Sequence, residues 1–214
     1  MMCGVDEAGR GPAMGPLVVG AVAAEDDDAF RQMGVKDSKQ LTPRARDRLY
    51  DQIVDAADHW STEIISAEDI DEQRKTLSLN DIEMRMFCKA ADMGGVTVIY
   101  ADCPDVNEAS FSQRMKTLFG KDVEIIAKHK ADDTYPIVSA ASIIAKVTRD
   151  RMMEDIRKEF GTNVGSGYPS DHYTMDFIRE WIEKNGSAPP HVRTSWEPVK
   201  EMLSVRKNTR IDDW

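Results

Sequence analysis

The chain has 214 residues, of which 41% are apolar, and 28 Lys and Arg stand against 38 Asp and Glu, for a formal net charge of −10 at pH 7. That length supports one substantial core, or a core with a small appendage. The negative balance speaks against a protein that coats nucleic acid without selectivity, and no apolar run approaches the roughly 18 residues of a membrane span.

Met2-Cys3-Gly4-Val5 is short and largely apolar, and Leu17-Val18-Val19-Gly20-Ala21-Val22-Ala23 is a β-type run. The intervening Asp6-Glu7-Ala8-Gly9-Arg10-Gly11 therefore reads as a strand end followed by a Gly-rich turn. Residues 36–41 are expected to form a loop. Thr42 caps a helix with Pro43 at its first position, running to about Ala57. A third strand is expected at 60–66. Ser78-Leu79-Asn80-Asp81 opens a second helix, whose apolar face is Ile82, Met86, Phe87 and Ala90 and which Gly94-Gly95 ends. Residues 96–102 read as a buried strand ending in Asp102, and Pro104 breaks it. A helix to about Leu118, a fifth strand at 123–127 and a long helix at 136–160 follow. Beyond a loop at 161–170 come helices at 171–184 and 195–204, separated by Pro189-Pro190. A hairpin meander followed by strand–helix alternation predicts an α/β fold with a mixed sheet.

The acidic pair Asp6-Glu7 is compatible with an ordinary hairpin turn. On a regular strand, neighbours point to opposite faces, so both serve one site only if a bend or bulge at Ala8-Gly9 re-aims one of them. Two carboxylates at a strand end repel each other unless something divalent neutralises them, which points to a metal site. Asp102, at another strand end, and Asp132-Asp133, just before the long helix and its positive dipole end, are two further acidic stations. The four histidines, His59, His129, His172 and His191, are scattered without zinc spacing, and no Gly-x-Ser-x-Gly nucleophile motif occurs. Cys3, Cys88 and Cys103 lack metal-ligand spacing and read as three reduced thiols used as small apolar residues. Acid concentrates away from these stations, in 25–28, 69–72 and 212–213. Bases lie near them: Arg10, Lys36, Lys39, Lys128, Lys130, Lys146, Arg149 and Arg151.

The N-terminal hexapeptide, together with Asp37-Ser38-Lys39-Gln40-Leu41, Lys130-Ala131-Asp132 leading into Ser139-Ala140-Ala141-Ser142-Ile143-Ile144-Ala145-Lys146-Val147, and Gly165-Ser166-Gly167-Tyr168-Pro169-Ser170, resembles type 2 ribonuclease H (ribonuclease HII) of the archaeal kind. The motifs occur in the family's order from about Gly4 to Trp196. The resemblance implies a ribonuclease-H-like core with a five-stranded mixed sheet flanked by helices at 1–160, a helical region at 161–207 completing the substrate groove, and a tail at 208–214. It implies an endonuclease that hydrolyses the RNA strand of RNA/DNA hybrids and incises 5′ to ribonucleotides embedded in duplex DNA, leaving 3′-OH and 5′-phosphate. By resemblance the catalytic and metal-binding quartet is Asp6, Glu7, Asp102 and Asp132, with Asp133 as competitor to Asp132 and Asp150 in a supporting or a merely ion-pairing role. Four carboxylates suit two divalent ions, Mg²⁺ or Mn²⁺.

The same resemblance assigns substrate contacts. Gly9, Arg10 and Gly11 read a ribose 2′-OH and the adjoining phosphate, the glycines because they lack a Cβ. Tyr168 stacks on the sugar that follows the ribonucleotide. Lys39 and Lys146 are candidates for phosphate contact, with solvated lysines as the plain alternative. The stretch 140–145 is expected to pack helix on sheet without chemistry of its own. Within the same fold, a DNA-directed nuclease is disfavoured by the glycine turn and Tyr168, and a non-catalytic subunit by the filled carboxylate positions. In the tail, Asn208, Ile211 and Trp214 resemble imperfectly the sliding-clamp-binding peptide, with Asn for Gln and the second aromatic missing. Docking of Ile211 and Trp214 on a clamp, or folding back on the core, are both open. A monomer without membrane attachment, in the cytoplasm because no signal segment is visible, is expected.

Overall fold

β1 (Met2–Ala8) pairs antiparallel with β2 (Leu17–Ala24), from Met2 opposite Ala24 to Ala8 opposite Val18. Pairing stays regular through Asp6 and Glu7, so no bulge re-aims either carboxylate; the chain turns only at Gly9, whose φ is 94°. All of β2 is buried, as expected of a strand covered on both faces. After it come α1 (Asp28–Met33), α2 (Pro43–Ala56), β3 (His59–Ile65), α3 (Ala67–Gln73), α4 (Leu79–Ala90), β4 (Val98–Asp102), α5 (Glu108–Phe119), β5 (Glu124–Lys128), α6 (Ala131–Thr134), α7 (Pro136–Phe160), α8 (His172–Asn185) and α9 (Glu197–Thr209). This computed structural model describes residues 1–35 and 42–209, with side chains to 205. Lys39 with its motif, and Ile211 and Trp214, lie outside the described residues.

Among the described residues the strands form one mixed sheet in the order β3-β2-β1-β4-β5, with β1, β4 and β5 parallel. The sheet and its alternating helices agree with the sequence reading, and several boundaries have visible causes. Thr42 Oγ1 accepts from the Ala45 amide at 3.3 Å and Pro43 opens α2. Ser78 and Asp81 cap each other's amides at the start of α4. That helix ends at Ala90, short of the expected Gly94-Gly95. Two short helices besides the one-turn α6 have no counterpart in the sequence reading. α1 is closed by Gly34 in the left-handed region, and α3 starts at a Ser66-to-Asp69 cap with Asp69 N to Ser66 Oγ at 3.0 Å.

The described residues divide into two units. The first comprises Met1–Ala8, Val18–Ile64 and Ser78–Arg149; the second comprises Gly9–Leu17, Ile65–Leu77 and Asp150–Trp214. In the first, the core joins Val22 and Ala24 to Phe30, Leu49, Ile53 and the α7 residues Ile137, Val138, Ala141 and Ile144. α7 lies on the sheet where the sheet has glycines. A methyl group added at Gly4 would collide with the backbone of Ile137 and Val138, and one at Gly20 with the backbone of Ala141 and Ala145. The expected helix–sheet packing of 140–145 is therefore backbone on backbone. Cys3, Cys88 and Cys103 are free and buried, and burial pushes the Cys3 thiol up to about 12. In the second unit, Ala13, Met14, Met153, Ile156, Val164, Ile178, Ile182, Val192 and Val199 form a separate core. Among the described residues no helix is long and apolar enough to cross a membrane.

Candidate active site

In the first unit the parallel register places Val5 beside Ala101, so Asp6 and Asp102 are the next residues along two adjacent strands. Side chains on one strand alternate, so Asp6 shares a face with Gly4 and leaves Glu7 on the other. Asp6 is buried. Burial first, then the charges of Glu7 and Asp102, push its carboxyl well above the ordinary carboxylate range. Hydrogen bonds from the Ser142 side chain and the Glu7 amide, the latter at 2.7 Å, act in the opposite direction. Ser142 belongs to the stretch expected to carry no chemistry; it is a direct partner of the buried carboxylate.

Asp102 Oδ1 accepts from the Ala131 amide at 2.6 Å, which ties the end of β4 to the residue before Asp132. Asp132 is not at the foot of the long helix, as the sequence suggested. It lies in the one-turn α6, separated from α7 by Tyr135, and its carbonyl accepts from Ser139 Oγ. Lys130, just before α6, has φ 54° and ψ 42°. For a residue with a Cβ this left-handed conformation costs about 1–2 kcal/mol. Asp133 is exposed, as are Lys146 and Asp150, whereas Arg149, one of the bases expected near the acidic stations, is buried.

The structure thus sets Asp6 within the field of both Glu7 and Asp102, and ties the turn before Asp132 to the Asp102 carboxylate through the Ala131 amide. Among the described residues, no three His, Cys, Asp or Glu side chains stand already gathered as an ion cage. What argues for a cation is a carboxylate raised first by its burial and then by two neighbouring carboxylates. An all-oxygen donor set of this kind fits a hard divalent ion such as Mg²⁺ or Mn²⁺.

The second unit holds the glycine turn and Tyr168. Arg193 is fully buried and donates to Gly9 O at 2.6 Å, Arg10 O at 3.1 Å and Gly15 O at 3.0 Å. Its guanidinium lies 4.7 Å from the Trp196 ring centroid, and Trp196 Nε1 donates to Gly11 O at 3.2 Å. Peptides are trans. With the Gly9 and Arg10 carbonyls turned to Arg193, the N–H groups of Arg10 and Gly11 point away from it. The turn therefore shows a donor edge on its outer side.

Gly167 O accepts from the Ala13 and Met14 amides at 2.8 and 3.1 Å, and its N–H donates to the buried Thr174 Oγ1 at 2.9 Å. Asp171 Oδ2 accepts from the Ser166 amide at 2.7 Å. These bonds fix the loop so that Tyr168, 41% exposed, stands beside the turn; a methyl added at Gly11 would lie 3.6 Å from its ring. Sequence reasoning missed Arg193 altogether, since one Arg among 28 cationic residues carries no local signature. It also set the acid of 69–72 apart from the functional stations and gave it no partner. Asp71 instead accepts from the Thr194 and Ser195 amides at 2.6 and 3.0 Å and so anchors the segment after Arg193.

The model of the family described as Ribonuclease HII matches residues 3–199. The chain is 44% identical over 214 residues to the Ribonuclease HII of Pyrococcus abyssi, covering 98% of this chain and 94% of that one. Among solved structures, ribonuclease H2 from Pyrococcus horikoshii OT3 superposes with a TM-score of 0.90 at 40% identity, over 96% of this chain and 98% of that one. The PCNA:RNase HII complex from Archaeoglobus fulgidus superposes with a TM-score of 0.88 at 38% identity, over 94% of this chain and 96% of that one. With likeness spanning nearly the full length in sequence and in fold, the chain belongs to the ribonuclease HII family of endoribonucleases.

Proposed function

We propose that the protein hydrolyses the RNA strand of RNA/DNA hybrids and incises 5′ to ribonucleotides embedded in duplex DNA, leaving 3′-OH and 5′-phosphate. The observation that carries this reading is the meeting of Asp6 and Asp102 at the ends of two adjacent parallel strands, with the Asp102 carboxylate bonded to the turn that bears Asp132. Asp6, Asp102 and Asp132 would hold two divalent ions together with Glu7, whose charge reaches Asp6 although no bulge turns it to the same face, so that its side chain has to swing round the strand end to ligate. Bound there, such ions supply an activated water and neutralise charge on the departing 3′ oxygen. Ser142 orients the Asp6 carboxylate by donating to it. In the turn of Gly9, Arg10 and Gly11, the outward N–H groups of Arg10 and Gly11 suit a ribose 2′-OH and a phosphate, the lack of a Cβ at Gly9 and Gly11 allows close approach, and Arg10 adds charge. Lys39 and Lys146 serve as mobile cations for neighbouring phosphates.

Tyr168, held in the helical region at 161–207, stacks on the sugar after the ribonucleotide and disfavours a second 2′-OH. Its exposure and its place against Gly11 support that role. The deciding experiment is Mg²⁺-dependent cleavage of three duplexes: one carrying a single ribonucleotide, one all DNA and one all RNA. Cutting of the first alone is expected; equal cutting of all-DNA duplex would make the protein a DNA nuclease, and no cutting a binding subunit. Tyr168→Ala in the same assay should reduce cutting at a single ribonucleotide by about tenfold, in line with the roughly 1–3 kcal/mol of one stacked ring, and reduce cutting of a continuous hybrid less. Equal losses on both would leave Tyr168 a general binding or packing residue.

The Archaeoglobus fulgidus relative was solved with PCNA. We extend the clamp reading to the tail of this chain, with Ile211 and Trp214, three residues apart in sequence, as two apolar plugs. Calorimetric titration of a sliding clamp should give heat with the full-length protein and none with a version ending at Lys207. Identical heats from both would end that proposal.

A further inference from the structure

Glu108 opens α5 and lies outside the carboxylates considered so far, yet it grips the turn that carries Asp132. Its Oε1 accepts from the His129 amide at 2.7 Å and lies 3.2 Å from His129 Nδ1, while Oε2 lies 3.3 Å from Lys128 Nζ. The other ring nitrogen of His129 is 2.7 Å from the Asp105 carbonyl oxygen. On the far side of the turn, the Ala131 amide is held by Asp102. Between these two pinned amides sits the left-handed Lys130. An L-residue keeps that conformation only where its surroundings over-determine it. Here the two clamps do so, one from each side. The base of the upstream clamp is firm: Asn107 caps α5 by accepting from the Ser110 amide at 2.9 Å, and the Asp105 carboxylate is held by Asn80 and Arg114.

We infer that Glu108 is a positioning residue for Asp132, acting through the His129 amide to keep Lys130 left-handed and thereby setting where the one-turn α6 presents its carboxylate. This rests on the assignment of Asp132 as a metal ligand. With Glu108 removed, the 128–129 peptide and the His129 ring lose their hold, Lys130 is free to leave the left-handed region and the turn loses its aim. The ion pair with Lys128 is secondary, since exposed pairs contribute little. It follows that an uncharged acceptor of the same length serves nearly as well.

The test is calorimetric titration of Mn²⁺ into the metal-free full-length protein, with amide hydrogen exchange followed over residues 129–131. Glu108→Ala should weaken Mn²⁺ binding about tenfold, the lower end of what supporting groups around metal sites contribute, and speed exchange across the turn. Glu108→Gln, which keeps the acceptor, should stay within about twofold of the parent. In a Lys130→Gly background the cost of Glu108→Ala should shrink below about threefold, because glycine occupies the left-handed region without penalty. Equal costs of Glu108→Ala in the two backgrounds would overturn the inference, as would unchanged Mn²⁺ affinity in Glu108→Ala alongside a loss in Asp132→Asn. Unchanged affinity in Asp132→Asn would overturn both this inference and the ligand assignment beneath it.

Discussion

Asp6→Asn is expected to abolish turnover while making the metal-free protein more stable at neutral pH. The folded protein holds the Asp6 proton more tightly than the unfolded chain, because burial and then the charges of Glu7 and Asp102 raise its carboxyl well above 3.8. A carboxyl raised in this way favours the folded state while protonated. That contribution is complete below about pH 3.8, the unfolded value, and is lost as pH rises through the folded value. At neutral pH an ionised Asp6 is therefore a cost in the absence of cations, and the isosteric amide removes it. Urea midpoints of the metal-free parent and variant should diverge as pH rises from 4 to 8, with Asp6→Asn the more stable. Added Mg²⁺ should close the gap by stabilising the parent selectively.

On activity, losing a ligand that serves several kcal/mol of charge stabilisation predicts a fall on the order of a thousandfold. Asp102→Asn should behave in the same direction. Residual cleavage above a few per cent would remove the residue from the metal site, and a metal-free Asp6→Asn protein less stable than its parent would show that Asp6 is held by contacts that favour its charge.

Gly20→Ala should be, with Gly4→Ala, among the most destabilising small substitutions in the chain's first unit, at about 3 kcal/mol, the upper range for forcing a methylene into a packed core. The added Cβ falls on the Ala141 carbonyl and within 2.8 Å of the Ala145 amide nitrogen, so it meets helix backbone with no flexible side chain able to yield. Gly94 is the internal control. Nothing lies within 4 Å of a Cβ added there, so Gly94→Ala should stay within about 0.5 kcal/mol of the parent. Because Gly20 is the strand partner of Asp6, pushing α7 off the sheet also withdraws Ser142 from the Asp6 carboxylate. Activity should fall together with stability. Chemical denaturation of the three proteins decides the matter; equal midpoints for Gly20→Ala and Gly94→Ala would show that α7 does not bear on the sheet there.

Some features of this protein follow from sequence alone because they are settled within a few residues of chain. Thr42-Pro43 and Ser78-to-Asp81 supply caps to their own helices, and Gly-rich segments end strands, so α2, α4, the start and finish of α7 and the five strands are legible locally. The Ser66-to-Asp69 cap of α3 was equally readable and was overlooked in favour of the acidity of the run that follows. The family's motifs supplied the candidate carboxylates. Partnerships across long stretches of chain had no such local signal. That Arg193 grips the carbonyls of Gly9 and Arg10, that Asp71 anchors Thr194, and that Gly4 and Gly20 are the seats of α7 are decided only when distant segments meet. The same holds for the electrostatics. Asp6 is an ordinary carboxyl in the sequence; its raised affinity for a proton comes from burial beneath a helix and from the register that sets it beside Asp102.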